Sequence, residues 1–230
     1  MRGMGRRAGF TLVELLVVIG IIAILIAVTL PIYGSVIAHA KIARCSTNLR
    51  AIGVAMLAFA GDNNDNFPES GATIYYNNTD PTTKQNGWCQ QIEPYLSPGE
   101  GKGGKGTVFQ CPDSSTTVPQ NATYSYFNGA HAAHSQTGGF APVNLLRMLA
   151  PSRHIIAGDI AYGSLFDPND ADKDDYTQDP AFNGNTGPIP IHLGSVNLVF
   201  ADGHVENARK FDPNSMTTVY GNNNTGYLTP

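Results

Sequence analysis

The sequence carries no surplus of basic charge. Fourteen Lys and Arg face eighteen Asp and Glu, giving a formal net charge of −4 at pH 7 and a pI near 5.8. That balance lacks the footprint of sequence-independent phosphate binding, so nucleic acid is not an expected partner. A Gly-x-Ser-x-Gly nucleophile elbow is also missing. The glycine-rich stretch at residues 101–106 has neither a preceding strand nor the Lys-Ser/Thr ending of a phosphate-binding loop, and it reads as a flexible connection. No internal repeat of useful length is visible, which excludes a solenoid. Cysteine is scarce: Cys45, Cys89 and Cys111 allow one disulfide and one leftover thiol, with three possible pairings. Tryptophan occurs once, and Trp88 with Tyr95 and Leu96 is read as core of a small domain.

What the chain does have is one long apolar run. In residues 10–37 only Glu14 is charged at neutral pH, and about 20 apolar residues suffice for a helix to cross a bilayer. Arg2, Arg6 and Arg7 precede the run, and Lys41 and Arg44 are the next basic residues after it. The positive-inside rule therefore puts the N-terminus in the cytoplasm and the rest outside the inner membrane. An ordinary secretory signal would end in a small-residue cleavage site, and Ile37-Ala38-His39-Ala40 is only a weak match. Two features exceed what an anchor needs. Glu14 sits inside the apolar run, where a carboxylate is costly unless paired, and a sharp junction separates Arg6-Arg7-Ala8-Gly9 from Phe10-Thr11-Leu12-Val13-Glu14.

Residues 9–19, Gly-Phe-Thr-Leu-Val-Glu-Leu-Leu-Val-Val-Ile, resemble the processing and methylation site of type IV prepilins and type II secretion pseudopilins. The resemblance implies that a prepilin peptidase cuts after Gly9 and methylates the new N-terminal Phe10. It also implies that Glu14 pairs with the N-terminal amine of a neighbouring subunit in a homo-oligomeric helical filament raised by assembly platform proteins. The physical reading agrees, since a buried carboxylate needs a cation and cleavage creates one. Loss of the three leader arginines would take the formal charge from −4 to −7. Gly20 and Pro31 fall where such helices loosen, and Pro31 should kink the helix because it removes a hydrogen bond.

Past the membrane segment, Ile42, Cys45, Leu49, Ile52, Met56 and Phe59 recur in steps of three and four and form one apolar face. Lys41, Arg44 and Arg50 lie off that stripe and read as a solvated face. The helix should stop in the Gly-Asp-Asn-Asn-Asp-Asn-Phe-Pro stretch at residues 61–68. Residues 10–60, 51 in all, would span about 75 Å at 1.5 Å per residue. Strands are expected at residues 123–127, 154–160 and 195–201, the last joined through Asp202-Gly203 to a hairpin partner at residues 204–206, with positive φ accepted at both turn residues. A short helix is expected over residues 143–149. His192, nine residues, then Asp202-Gly203 resembles the processing-associated pilin-like subfamily, as do residues 45–49, 109–112 and 151–159. One departure is the lack of a basic residue just before His192.

If the sheet packs on the apolar stripe, Cys45 comes near the Cys111-Pro112 turn, and a Cys45–Cys111 disulfide is expected, with Cys89–Cys111 as the rival. Asp170, Asp172 and Asp174 alternate like the opening of a calcium loop, but the central glycine is missing and the twelfth position is Ala181. Some major pseudopilins bind calcium in a C-terminal loop, so the resemblance keeps the ion in view beside the reading of a solvated acidic loop; no other cofactor is expected. His131, His134, His192 and His204 with Asp159 and Asp202 could be drawn together as zinc ligands, but no glutamate is placed as a general base. The expected fold is α+β: a leader at 1–9, a membrane or filament-core helix at 10–37, its amphipathic continuation at 38–60, and a globular domain at 61–230 with a small antiparallel sheet and long loops. The expected function is structural and not enzymatic. The rivals are a type II secretion pseudopilin and, from another class, a membrane-tethered binding protein or hydrolase.

Overall fold

In the computed structural model of the chain, the described residues are 10–68, 86–97, 107–113, 125–128, 143–159, 192–209, 212 and 214–216. They divide into two compact units, Met1–Ala40 and Lys41–Pro230. The helix α1, Leu12–Asp62, contributes to both and is continuous through Gly20 and Pro31. In the first unit every residue from 10 to 37 is exposed. This part of α1 is long and apolar enough to cross a membrane.

In the second unit α1 buries Cys45, Leu49, Ile52, Ala55, Met56 and Ala60, so the expected stripe is the face that meets the core; Ile42 and Phe59 are half-buried at its margins. The helix ends two residues later than its apolar stripe suggests, and glycine does not cap it. The Asp65 amide donates to the Ala60 carbonyl at 2.8 Å, and Asn64 takes the left-handed conformation at φ 57°. This is the Schellman arrangement with asparagine in the position more often held by glycine.

Four strands follow: β1, Tyr126–Asn128; β2, Ile155–Asp159; β3, Val196–Phe200; and β4, Val205–Ala208. They form one antiparallel sheet in sequential order, so the fold is α+β, a long N-terminal helix on a small antiparallel sheet. Both central strands, β2 and β3, are buried along their whole length. Side chains alternate between faces, which puts Tyr126, Ala157, Asp159, Asn197 and Val199 in one layer by register. Gly53 of α1 comes so close to this layer that a Cβ there would lie 2.5 Å from Val199 Cγ2. Helix and sheet therefore meet backbone to side chain at that point.

The expected β3–β4 hairpin is present, but its turn has a different form. Only Gly203, at φ 88°, is left-handed, and its amide closes the loop on the Phe200 carbonyl at 2.8 Å. The expected short helix is a 3₁₀ turn, Leu145–Arg147, opened by the Asn144 side chain accepting from the Leu146 amide. The helix α2, Trp88–Ile92, and the 3₁₀ turn Glu93–Tyr95 were not anticipated. They bring Trp88 edge-on to Phe109, with ring centroids 5.8 Å apart, and both rings are wholly buried. Trp88 is thus core, as expected.

Gly53→Ala should lower the unfolding free energy of the full chain in detergent by about 1–3 kcal/mol, because the added methyl must displace a β-branched neighbour. Paired with Val199→Ala, the combined loss should be smaller than the sum of the single losses in a double-mutant cycle. Simple additivity would contradict the contact.

Candidate functional site

Two groups of residues stand out, one in each unit. In the first, Phe10 and Thr11 precede α1 and Glu14 lies in its opening turn. Free amides at a helix start need acceptors, and here the Glu14 carboxylate supplies one. Its Oε2 accepts from the Thr11 amide and the Thr11 hydroxyl, each at 2.8 Å, and Thr11 Oγ1 accepts in return from the Glu14 amide at 3.3 Å. This is a reciprocal capping box. The Thr-x-x-Glu spacing that announces it is visible in the sequence. Gly9 lies outside the described residues. Gly20 and Pro31 are both within α1.

The second group is centred on His192. Its backbone forms a two-residue turn with Ser195: the His192 amide donates to the Ser195 carbonyl at 2.9 Å and the Ser195 amide returns the bond at 3.0 Å. Leu193 and Gly194 between them both have positive φ, 48° and 92°, so the primed turn lies here and not at Asp202-Gly203. This turn aims a fully buried imidazole into the protein. Nδ1 faces Asp113 Oδ2 at 3.0 Å and Nε2 faces Asp159 Oδ2 at 3.0 Å. Ionised carboxylates only accept, so the ring satisfies both by donating from both nitrogens, as an imidazolium. Lys41 Nζ lies 3.4 Å from Asp113 Oδ1; this lysine therefore belongs to the network and is not merely a solvated charge.

Asp159 sits at the end of β2, entirely buried. Its Oδ2 also accepts from the Asn197 amide at 2.6 Å. Asn197 Nδ2 is close enough to favour the ionised carboxylate, yet it does not reach hydrogen-bond geometry with Oδ1. Burial opposes the imidazolium of His192, but hydrogen bonds and charge from Asp159 and then Asp113 outweigh it and raise the titration above the ordinary 6.5. Burial also pushes the Asp159 carboxyl up from 3.8, against the downward pull of His192 and Asn197.

Cys45 and Cys111 are joined in a disulfide beside this network, which is the expected pairing and not its rival. In the chain-entropy account, closing a loop across a sequence separation of 66 stabilises by about 4 kcal/mol. Cys111 Sγ lies 3.5 Å from His192 Nε2. Tyr126, from β1, directs its hydroxyl at the Cys45 carbonyl at 3.5 Å and accepts from Asn48 Nδ2 at 3.3 Å. Cys89 is a free, buried thiol, and burial raises its pKa well above the ordinary value, which disfavours the reactive thiolate.

His192 and Asp202, which flank β3, take separate partners. Asp202 Oδ1 meets His204 Nδ1 at 2.5 Å, and the His204 ring stacks on Phe200 with centroids 4.2 Å apart. Of the zinc ligands considered in the sequence, only His192 and Asp159 come together; His204 and Asp202 form a pair of their own. His131 and His134 lie outside the described residues, as do the candidate calcium ligands Asp170, Asp172 and Asp174. Asp113 was not foreseen: a single aspartate two residues after Cys111 has no periodic or motif signal.

Residues 4–30 match the family model described as the prokaryotic N-terminal methylation motif. With the long apolar helix, this match supports a type IV pilin-like prepilin signal at the N-terminus. A motif of this type implies prepilin peptidase processing and filament assembly in general, and membrane anchoring of the precursor. No curated protein and no solved structure matches the chain.

The His192 network predicts the sign of a pH dependence. A histidine whose folded pKa is raised stabilises fully below its unfolded value near 6.5 and loses that contribution as pH rises through the folded value. The raised Asp159 acts in the same direction over a lower window that opens near 3.8. The melting temperature of the full chain should therefore fall as pH rises from about 6.5 through the raised folded value of His192, and His192→Gln, which cannot titrate, should flatten that slope. A melting temperature that climbs over this interval in the unaltered chain would rule out the imidazolium.

Proposed function

We propose that the chain is a structural subunit of a type IV pilus-like filament, processed between Gly9 and Phe10 and assembled through its N-terminal helix. Residues 1–9 form the leader. Residues 10–37 anchor the precursor across the inner membrane with its N-terminus in the cytoplasm, residues 38–60 continue the helix, and residues 61–230 form the globular domain that ends in the periplasm or on an extracellular filament. The observation that carries the reading is the methylation-type motif over residues 4–30, which overlaps a run that is exposed from residue 10 to residue 37 and apolar there but for Glu14 as its one charged residue. A surface of that kind needs lipid or other apolar helices around it.

The capping box adds a mechanism. In the separate chain, Glu14 satisfies the Thr11 amide and hydroxyl. Cleavage creates an α-amine at Phe10, and in the filament the Glu14 carboxylate turns to that amine on an adjacent subunit. A charge inside apolar surroundings costs several kcal/mol unless it is paired, so this pairing sets the axial register of one helix against the next. Leu15, Leu16 and the apolar residues beyond them then supply the helix-to-helix contact.

Glutamine also serves in a capping box, so Glu14→Gln removes the charge while sparing the helix start, and Glu14→Ala removes both. Both variants should be cleaved to a chain beginning at methylated Phe10, as read by intact mass and N-terminal sequencing. Sheared filament yield from Glu14→Gln should fall by about a hundredfold or more, since a buried charge left alone costs about 3–5 kcal/mol. Normal yield would end the pairing mechanism, and an uncleaved native chain would end the proposal as a whole. A processed chain confined to the membrane fraction would move the assignment to a secretion pseudopilin.

A further inference from the structure

Cys45 of α1, Cys111 of the turn that follows Phe109, Asp159 at the end of β2 and His192 just before β3 are all buried. Their two sulfurs, carboxylate oxygen and ring nitrogen lie within 4.8 Å of one another. Four segments remote in sequence thus deliver a soft, nitrogen-and-oxygen-assisted donor set to one point. Tetrahedral zinc holds such ligands at about 2.0–2.3 Å, which places them about 3.3–3.8 Å apart; Cys111 Sγ already lies 3.5 Å from His192 Nε2 and Nε2 lies 3.0 Å from Asp159 Oδ2, while the two bonded sulfurs must part to that spacing once reduced.

Two details go beyond what a disulfide requires. Asp159 Oδ1, wholly buried, has no hydrogen-bond partner among the described residues. The far nitrogen of His192 is held by Asp113 at 3.0 Å, and Asp113 is steadied in turn by Lys41 at 3.4 Å. A carboxylate behind the imidazole is the arrangement that orients histidine ligands on zinc and strengthens them as donors.

We propose that, before the Cys45–Cys111 bond forms, the dithiol chain binds one zinc ion at this cluster through Cys45 Sγ, Cys111 Sγ, His192 Nε2 and the Asp159 carboxylate. Binding releases the two thiol protons and the Nε2 proton of His192. Oxidation then ejects the metal. The two thiolates give two electrons to a disulfide of the thiol–disulfide exchange class, which takes up two protons and leaves as two thiols. The products are the Cys45–Cys111 bond and free Zn²⁺, and His192 regains the proton that it donates to Asp159 in the oxidised structure. The ion and the proton alternate between the same two side chains. Holding Cys45 and Cys111 together ahead of oxidation also selects this pair over Cys89, which is not in the cluster. The site stands independently of the filament assignment.

The test uses the full chain in detergent micelles, reduced with a phosphine and titrated with Co²⁺ as the spectroscopic probe. The reduced chain should bind one cobalt per chain with tetrahedral d–d bands and a thiolate-to-cobalt charge-transfer band, both lost on addition of Zn²⁺. The disulfide form should show neither. Cys45→Ser should abolish the charge-transfer spectrum, Asp113→Asn should weaken affinity by about 10–100-fold, and Cys89→Ala should leave the spectrum unchanged. An octahedral spectrum, a substoichiometric one, or one that depends on Cys89 would overturn the site. A reduced chain that stays unfolded in excess cobalt overturns it as well, because ligands from four segments would make binding draw the chain into its fold.

Discussion

The ring of His192 donates to Asp113 from one side and to Asp159 from the other, and around that pair of bonds the second unit is organised. Asp113 belongs to the segment that carries Cys111, Asp159 ends a central strand, and His192 begins the turn into the next. Asp159 would be an uncompensated buried charge without the imidazolium, half-buried Asp113 would keep only Lys41, and the imidazolium would be uncompensated without the two carboxylates. The three segments therefore have little freedom to settle separately. Once they are in place, Cys111 faces Cys45 on α1, and Tyr126 and Asn48 close over the same point.

How much of this could be read beforehand depended on the kind of signal. The apolar stripe of α1 follows from a period of 3.6 residues sustained over several turns, and the central strands from short apolar runs between turn residues; both are long enough to be robust. The turns were harder. Asp202-Gly203 looks like a primed two-residue turn, yet only the glycine takes positive φ, while Leu193, a residue that pays a steric penalty there, does so at the other end of β3. The outside leucine follows from the inside histidine, since that turn presents His192 to its two carboxylates, and tertiary pairing of this sort leaves no local trace. Asn64 likewise capped α1 where the nearby glycine was the obvious choice.

The site was legible in part for the same reason. His192 could be singled out by its spacing to Asp202-Gly203, but that spacing does not name its partners, Asp113 and Asp159, which lie on other segments. Cys45 and Cys111 could be paired because one lay on a helical stripe and the other beside a turn expected near it. Asp113 and Lys41 could not, since an isolated aspartate and a lysine off the apolar face look like ordinary surface. Glu14 shows the opposite error: attention to its charge hid the threonine three residues before it, whose hydroxyl and amide it engages.

The covalent link at Cys45 has a mechanical meaning. A pull that travels along α1 into the second unit reaches Cys45 within the first turns past Lys41, and there it enters a cross-link to Cys111 in place of hydrogen bonds alone. The chain enclosed across a separation of 66 has a contour length of about 220 Å at about 3.3–3.6 Å per residue, and none of it can be paid out while the bond holds. Loaded in tension, the segment between Cys45 and Cys111 would act as a short inextensible element.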